Sequence, residues 1–364
     1  MNGLPSIAQE EHMNPQPEDP SYSGAISIAR KGCVALMALA AFGCGKKTDD
    51  PPAVSAPSAS VSASAAPAPS ASAEVKKKRQ YMFGRLSGIG SNNADLDYGK
   101  AGLGGLPPVV APTAACPPNM VNVDGRFCID QYETSLYDTA QGRRVSIFYH
   151  PNKRHTSERY YYWTHPEQTK AHQALLPIDV PAPPVWQLTE NFGIRAFSRP
   201  NVKPNGYLNR FRAEEACQNA GKRLCTENEW VFACRGEANQ DFPYGDHFEW
   251  NKCNVHRGGH PSKILHGDAT HYHTDPRLLA MTLNGRPFLE KTGQRKTCAS
   301  KWPGGNVYDM VGNLDEWVDS PTPTFRGGFF SRNTKRGCQA LIFGHPALYY
   351  DYSLGTRCCL DLQQ

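Results

Sequence analysis

Two short runs of alternating hydrophobic and polar residues, 121–123 and 127–129, flank Asp124-Gly125. A period of two is typical of a half-buried strand, and Asp-Gly is a strong two-residue turn. The pattern therefore predicts a β-hairpin. Cys116 and Cys128 lie at its two ends, so we expect a disulfide across the hairpin.

A helical period replaces the alternation further along the chain. Phe211–Asn219 has apolar residues at helical spacing, and Gly221 is suited to end that helix. A second helix is predicted to begin after Thr226, because Glu229 lies three residues on and the two residues can form a capping box. Residues 137–205 are rich in proline, tyrosine and histidine, so the pattern assigns no regular structure to them, and we interpret them as an insertion or a lid.

The N-terminal third lacks both periods. Arg30-Lys31 precedes a short apolar run that ends at Cys44 and is too short to span a bilayer. Residues 1–44 resemble a bacterial lipoprotein signal, with Ala41-Phe42-Gly43-Cys44 as the lipobox and Cys44 as the acylated residue. An uncleaved anchor or a plain secretory signal is the alternative. The lipoprotein interpretation predicts an exported protein that a lipid anchor holds in the membrane of the bacterial cell envelope, at the outer membrane or the periplasmic face.

Residues 45–115 are dominated first by alanine, proline and serine and then by glycine. Such a segment buries too little apolar surface to offset the conformational entropy of folding, so we predict a disordered tether. Its basic run at 76–79 is interpreted as solvated linker charge. The net charge of the 364-residue chain is only +5 and no base-reading motif is present, so we expect no nucleic-acid partner. Residues 116–364 are predicted to be the folded domain.

Three segments of this domain occur in an order that resembles the formylglycine-generating enzyme (sulfatase-modifying factor) family. They are Gly221–Gly236, Val307–Val318 and Arg326-Gly327-Gly328. Enzymes of that family oxidise a cysteine of a sulfatase to formylglycine. The resemblance implies an α+β, C-type-lectin-like fold that is rich in loops and held by disulfides.

The chain has twelve cysteines, which are many for a cytosolic protein and indicate an oxidising compartment. Ten of them lie in the range 116–359, an even number that permits five disulfides. The resemblance implies two long-range pairs, Cys217–Cys358 and Cys234–Cys338. The cysteines that it leaves over are most economically paired as Cys225–Cys359 and Cys253–Cys298.

The oxidase chemistry of the family needs two thiolate cysteines, shortly after the Arg-Gly-Gly strand, that hold copper. Counting along this chain places them on Arg332 and Asn333, and Cys338 is assigned to a disulfide. We therefore predict no catalytic residue and no copper. Arg332, Lys335 and Arg336 make this loop basic, which indicates either a solvated loop or a surface for an anionic partner or sugar acid.

The resemblance also implies structural Ca²⁺, an ion that prefers carboxylate and carbonyl oxygens. Asp309 stands where the family motif has an amide, and the acid usual at the second site falls near Cys298. The alternative is that the acidic residues only cap turns. The expected ligands of the two sites are Asp309, Gly312, Leu314 and Glu316, and Asn254 and Val255.

Five histidines lie close together in sequence, at 256, 260, 266, 271 and 273. We interpret them as solvated loop residues, with a zinc or copper centre as the alternative. The sequence as a whole predicts a non-catalytic module that binds a peptide, a glycan or an envelope protein, or that serves as a scaffold. The alternative function is an active oxidase or another metal-dependent enzyme of the family.

Overall fold

The structure, a computed structural model, describes residues 89–91, 109, 115–256, 258–332 and 334–363. The predicted signal with Cys44, nearly all of the predicted tether, and Asn333 lie outside these residues. Within the described residues, no helix combines the length and the hydropathy that a membrane span needs.

Short helices alternate with loops along the domain, and three of those in the described residues have a side-chain N-cap. The capping box predicted at Thr226 is present, because its hydroxyl accepts a hydrogen bond from the Glu229 N–H and the Glu229 carboxylate accepts one from the Thr226 N–H. Asn209 likewise caps the helix predicted at 211–219. The helices of the described residues are α1 Lys153–Thr164, α2 Pro166–Thr169, α3 Val185–Thr189, α4 Arg210–Gln218, α5 Glu227–Arg235, α6 Pro261–His266, α7 Arg277–Ala280 and the 3-10 helix Gly337–Gln339.

The strands are short and form several small sheets. Those of the described residues are β1 Ile89–Ser91, β2 Met120–Val123, β3 Phe127–Asp130, β4 Thr134–Asp138, β5 Ile194–Ser198, β6 Arg223–Leu224, β7 Met281–Leu283, β8 Arg286–Pro287, β9 Ala299–Trp302, β10 Gly305–Tyr308, β11 Asp315–Val318, β12 Thr324–Arg326, β13 Leu341–Phe343, β14 Leu354–Thr356 and β15 Cys358–Asp361. Their order within the sheets is β1-β7-β8, β10-β9, β13-β12-β11-β14, β2-β3-β15-β6 and β4-β5.

The predicted hairpin is β2–β3, and β15 pairs with β3, so strands from the two ends of the domain lie side by side. Two fully buried tryptophans, Trp230 of α5 and Trp317 of β11, pack in the core around the sheets. Each donates its indole N–H to a buried oxygen, Trp230 to Glu316 at 2.7 Å and Trp317 to the Leu208 carbonyl at 2.8 Å. The core around α5 and β11 therefore combines apolar packing with a buried polar network.

Five disulfides cross-link the domain. Three of them join residues 141, 134 and 104 positions apart in sequence, and in the loop-entropy account each of these stabilises by about 4 to 5 kcal/mol when taken alone. The pairing is the one expected from the sequence: Cys116–Cys128, Cys217–Cys358, Cys225–Cys359, Cys234–Cys338 and Cys253–Cys298.

Residues 137–205 contain more regular structure than the sequence predicts. Helices α1, α2 and α3 lie here, and β5 pairs with β4 along its length. The sequence pattern left α1 unassigned because this helix has almost no apolar stripe: of its twelve residues only Thr156 and Trp163 are buried. Its Asn152 cap, which accepts from the N–H groups of the first turn, was the one local signal that could have revealed it.

Candidate functional site

Two glycines shape the loop that follows β12. Gly327 and Gly328 have φ values of 94° and 74°, in the region that favours glycine. A Cβ on Gly327 would lie 2.8 Å from the Met310 carbonyl oxygen, and one on Gly328 would collide with Thr334. The chain therefore turns sharply here, and this turn brings Arg332 over the first residue of β11.

That residue is Asp315, which is completely buried. Arg332 Nη2 lies 2.8 Å from Asp315 Oδ2 and Nη1 donates to Oδ1 at 3.1 Å, while the Gly328 N–H donates to Oδ1 at 2.9 Å. Burial raises the pKa of Asp315 to about 6 even though Arg332 opposes the shift. The Arg332 guanidinium thus neutralises a buried carboxylate, while 27% of the Arg332 side chain stays exposed.

Aromatic and histidine side chains surround Arg332. Its guanidinium lies 5.3 Å from the Phe329 ring centre, and Phe329 meets Tyr352 edge to face. The Tyr352 hydroxyl and His260 Nε2 are 3.3 Å apart, and the rings of His260 and His273 lie 5.4 Å apart. His273 Nδ1 in turn lies 3.9 Å from Asp351 Oδ2. We name this group the Arg332 surface; its members are Arg332, Phe329, Tyr352, His260, His273 and Asp351.

The Arg332 surface offers neutral polar groups as well as the charged one. Burial, with a smaller contribution from His273, lowers the pKa of His260 to about 4, so this imidazole is neutral at neutral pH. Within the described residues, His260 Nδ1, Ser331 Oγ and Thr334 Oγ1 are buried and have no hydrogen-bond partner.

Residues other than cysteine stand in this chain where the family has its two thiols. Arg332, on which one predicted thiol falls, carries the ion pair with Asp315, and Cys338 is bonded to Cys234. Each of the ten cysteines from Cys116 to Cys359 is in a disulfide. No pair of thiolates is therefore left among the described residues to hold Cu(I).

The first predicted calcium site lies in the buried polar core. Glu316 accepts two hydrogen bonds of 2.7 Å from Arg357 and one of 2.7 Å from Trp230. Asp309 Oδ2 accepts from the Gly293 N–H at 2.7 Å, and burial raises the pKa of Asp309 to about 7. Glu133 accepts from the Leu314 N–H in the same core, and burial, followed by Asp309, raises its pKa well above the usual range.

These contacts do not form a ready calcium cage. Glu316 would have to give up Arg357, which already supplies its counter-charge, before it could ligate an ion beside Asp309 and the carbonyls of Gly312 and Leu314. In the part of the chain that the structure describes, no group of three or more His, Cys, Asp or Glu side chains is arranged to hold a metal. Calcium at this site stays a prediction.

The second predicted site has one oxygen atom, Asn254 Oδ1, that is free to ligate an ion. Asn254 Nδ2 donates to the Phe288 carbonyl and to Asn313 Oδ1, both at 2.9 Å, which fixes the orientation of the amide. Its Oδ1 is buried and has no hydrogen-bond partner among the described residues, as a cation ligand would be. Cys298, near which the usual acid falls, is bonded to Cys253, so Asn254 and the Val255 carbonyl lack that partner. Calcium here also stays a prediction.

The loop histidines do not converge on one centre. His260 belongs to the Arg332 surface, His271 pairs with Asp268 near the solvent, and His266 is buried against Asp275. The interpretation as solvated residues is therefore wrong for His266. Tyr352 and Asp351 of the Arg332 surface were missed by sequence reasoning, because no local pattern connects them with a loop some ninety residues away.

Two open depressions lie on other parts of the surface. One, of about 490 Å³, is formed by 226–228 and 319–321; the other, of about 520 Å³, has Lys291 and Gln294 in its lining. Neither includes a member of the Arg332 surface. We therefore keep the Arg332 surface as the candidate site.

Comparison with known proteins identifies the class. Residues 113–345 match the sulfatase-modifying factor enzyme 1-like domain, also called FGE-sulfatase. The chain belongs to this family. Its α+β, loop-rich fold with five disulfides is the fold that the sequence predicts.

Two curated relatives are both named inactive C-alpha-formylglycine-generating enzyme 2. The Bos taurus protein is 32% identical over 109 residues, 30% of each chain, and the Mus musculus protein is 30% identical over 105 residues, 29% of this chain and 28% of that one. The match thus spans less than a third of the length of these relatives. The word "inactive" applies to those proteins.

Solved structures with a weak likeness include PvdO from Pseudomonas aeruginosa, CarF and the Major Tropism Determinant I1 variant. PvdO is 13% identical, with a TM-score of 0.29 over 65% of this chain and 80% of that one. CarF is 11% identical, with a TM-score of 0.30 over 65% and 87%. The tropism determinant is 14% identical, with a TM-score of 0.31 over 69% and 54%. At these TM-scores the likeness carries no argument.

Proposed function

We propose that this protein is a non-catalytic member of the sulfatase-modifying factor family that binds a peptide, a glycan or a protein of the cell envelope. One observation carries the proposal: all ten cysteines in the range 116–359 are used in disulfides. Oxidation of a substrate cysteine through copper needs thiolates that can exchange electrons, and a disulfide frame supplies none. The word "inactive" in the names of both curated relatives is consistent with this proposal.

The Arg332 surface is the proposed binding site. Arg332 is partly exposed, and Lys335 and Arg336 lie exposed a few residues further along the same loop. Guanidinium and ammonium groups favour carboxylates as partners. We propose that the ligand carries carboxylate groups, as acidic peptides and sugar acids do.

The cellular setting is part of the proposal. Five disulfides support an oxidising compartment, which is consistent with export. We propose that Cys44 is the lipid-anchored residue and that residues 45–115 are the tether that separates the domain from the membrane. Calcium at Asp309 or Asn254 is a proposed structural ion with no part in the binding step.

The catalytic half of the proposal is tested with a sulfatase peptide, copper and oxygen, and formylglycine is detected by mass spectrometry. An active formylglycine-generating enzyme assayed in parallel shows that the conditions permit turnover. We expect no product from this protein. A count of free thiols in the unfolded, unreduced protein should find none from residues 116–364; a reactive thiol pair together with product overturns the proposal.

The binding half is tested with an array of acidic and neutral glycans and peptides. Wild-type protein is compared with a variant in which Arg332 is kept and Lys335 and Arg336 are replaced by Ala, which leaves the ion pair with Asp315 intact. We expect acidic ligands to be bound, with affinity that falls in the double variant and with added salt. Binding that is indifferent to both changes rejects Lys335 and Arg336 as the groups that bind the acidic ligand, and an array without hits favours a purely structural role.

A further inference from the structure

Two histidine rings face each other beside α6. His172 Nδ1 and His266 Nδ1 are 3.1 Å apart, and the planes of the rings are inclined by 67°. His266 is the last residue of α6 and its side chain is fully buried, whereas His172 comes from the segment after α2 and is partly exposed. The pair therefore joins a core position to the solvent.

Asp275 fixes the state of the inner ring. His266 Nε2 lies 2.9 Å from Asp275 Oδ2, and Arg277 binds the same carboxylate through Nε and Nη2. Burial alone would raise the pKa of Asp275, but the hydrogen bonds from His266 and Arg277 hold it below the usual value. The carboxylate thus accepts a hydrogen bond from the Nε2–H group of His266. In this tautomer the lone pair of the His266 ring is on Nδ1, the nitrogen on the side of His172.

We propose that His172 and His266 are the protein ligands of a divalent transition-metal ion of the zinc and copper class, with Asp275 as the positioning partner of His266. Two nitrogens 3.1 Å apart, each about 2.0–2.1 Å from a common ion, subtend an angle of about 95–100°. That angle lies between square-planar and tetrahedral geometry. A carboxylate behind a ligating imidazole is the usual outer arrangement of protein metal sites.

The donor atoms select the ion. Imidazole nitrogens suit Zn²⁺, Cu²⁺ and Ni²⁺, while Ca²⁺ and Mg²⁺ require oxygens. Binding needs no net loss of a proton, because His172 transfers its proton from Nδ1 to the outward Nε2 and keeps the ring neutral. Burial, followed by His266, lowers the pKa of His172, which favours this neutral form.

The surroundings hold both rings in place. Tyr272 stacks on His172 with ring centres 4.4 Å apart, and the ring centres of Tyr272 and His266 are 4.7 Å apart. The Trp163 ring also packs against His266, with ring centres 5.5 Å apart. Within the described residues no third His, Cys, Asp or Glu completes the set. Water fills the remaining positions, so the affinity should be well below that of a four-ligand structural zinc site, and the ion should exchange with the solvent.

The test is calorimetric titration of the disulfide-intact protein with Cu²⁺ and, separately, Zn²⁺. His172→Ala removes a ligand at a partly exposed position, and His247→Ala, in an exposed loop, is the matched control. Asp275→Asn keeps the shape of the carboxylate and removes its charge. Circular dichroism verifies that each variant is folded, and electron paramagnetic resonance of the Cu²⁺ complex counts the bound nitrogens.

We expect one equivalent of Cu²⁺ to bind, with two nitrogen ligands. Loss of an outer partner typically weakens metal binding by about 10–100-fold, which is the change expected for Asp275→Asn; loss of a direct ligand in His172→Ala should weaken it at least as much. The His247→Ala protein should bind as wild type does. Unchanged binding in a folded His172→Ala protein, or an equal loss in both histidine variants, overturns the proposal. Absence of binding to either ion leaves only a hydrogen bond between two imidazoles and overturns it too.

Discussion

Asp309 is a buried carboxylate that should weaken the fold at neutral pH. It stands where the family motif has an amide, it is 4% exposed, and it shares its core with Glu133 and Glu316. Arg357 is the counter-charge in this group, and it is committed to Glu316. The substitution Asp309→Asn removes one buried charge and keeps an oxygen that can accept the Gly293 N–H bond.

The size of the effect follows from the shift in pKa. Burial raises the pKa of Asp309 from 3.8 to about 7. Because each pKa unit corresponds to about 1.4 kcal/mol, the penalty is on the order of 4 kcal/mol, shared with Glu133. Below about pH 4 the carboxyl is protonated in both states and there is no penalty. As the pH rises from about 4 to about 7, the unfolded chain releases the proton and the folded one retains it, so the free energy of unfolding falls; above about pH 7 the penalty is constant.

The assay is denaturant unfolding with the disulfides intact and EDTA present, followed by tryptophan fluorescence at several pH values. We expect Asp309→Asn and wild type to be equally stable near pH 4, and the variant to be more stable by up to about 4 kcal/mol near pH 8, with the same denaturant dependence. Asp246→Asn, at an exposed position, is the control and should leave stability unchanged at every pH. A difference that does not vary with pH, or a variant that is less stable at pH 8, would refute the reasoning.

Three further outcomes are expected. Arg332→Ala should lower the free energy of unfolding by about 1–3 kcal/mol because it leaves the buried Asp315 carboxylate unpaired, and the loss should be larger at pH 8 than at pH 5. The double variant Arg332→Ala with Asp315→Asn should recover most of this loss in the same denaturant assay. Absence of recovery would contradict the pairing of Arg332 with Asp315. Replacing Cys225 and Cys359 by Ala should cost only about 3 kcal/mol, because Cys217–Cys358 still closes nearly the same loop and leaves a ring of about ten residues. Removing both pairs should cost about 6 to 7 kcal/mol, because the remaining Cys234–Cys338 bond shortens the loop that the second pair closes to about 40 residues. A double loss equal to the sum of the two single losses, measured by calorimetry, would contradict this account. If calcium binds as proposed, a hundredfold excess over its Kd should add about 3 kcal/mol of stability and raise the melting temperature, with Mg²⁺ as the inactive control; equal melting in calcium and EDTA argues against the ion.

The parts of the fold that the sequence predicts are those with local signals or family motifs. The hairpin β2–β3 follows from alternation around an Asp-Gly turn, and the start of α5 follows from the capping box at Thr226. Helix α1 was missed because its tyrosines and basic residues form no apolar stripe, and tertiary packing holds it instead.

The candidate site, too, could be predicted from the sequence only in part. The loss of thiols could be inferred by counting residues to Arg332, but nothing in the sequence links Arg332 to Asp315, because only the fold reveals that Asp315 is buried beneath it. His172 and His266 are 94 residues apart, and their contact depends on how the segment after α2 packs against α6. Pairings of this kind leave no pattern in a single sequence.

The neighbouring cysteines at the start of β15 have a consequence for how the domain assembles. Successive side chains of a strand point to opposite faces, so Cys358 and Cys359 reach α4 and the end of β6 from opposite sides of the sheet. Slippage by one residue would turn each sulfur to the wrong side, and an exchange of partners would require the strand to be inverted. Both disulfides can thus form only when β15 has docked in its correct register. Disulfide formation therefore acts as a check on the register of this last strand of the domain.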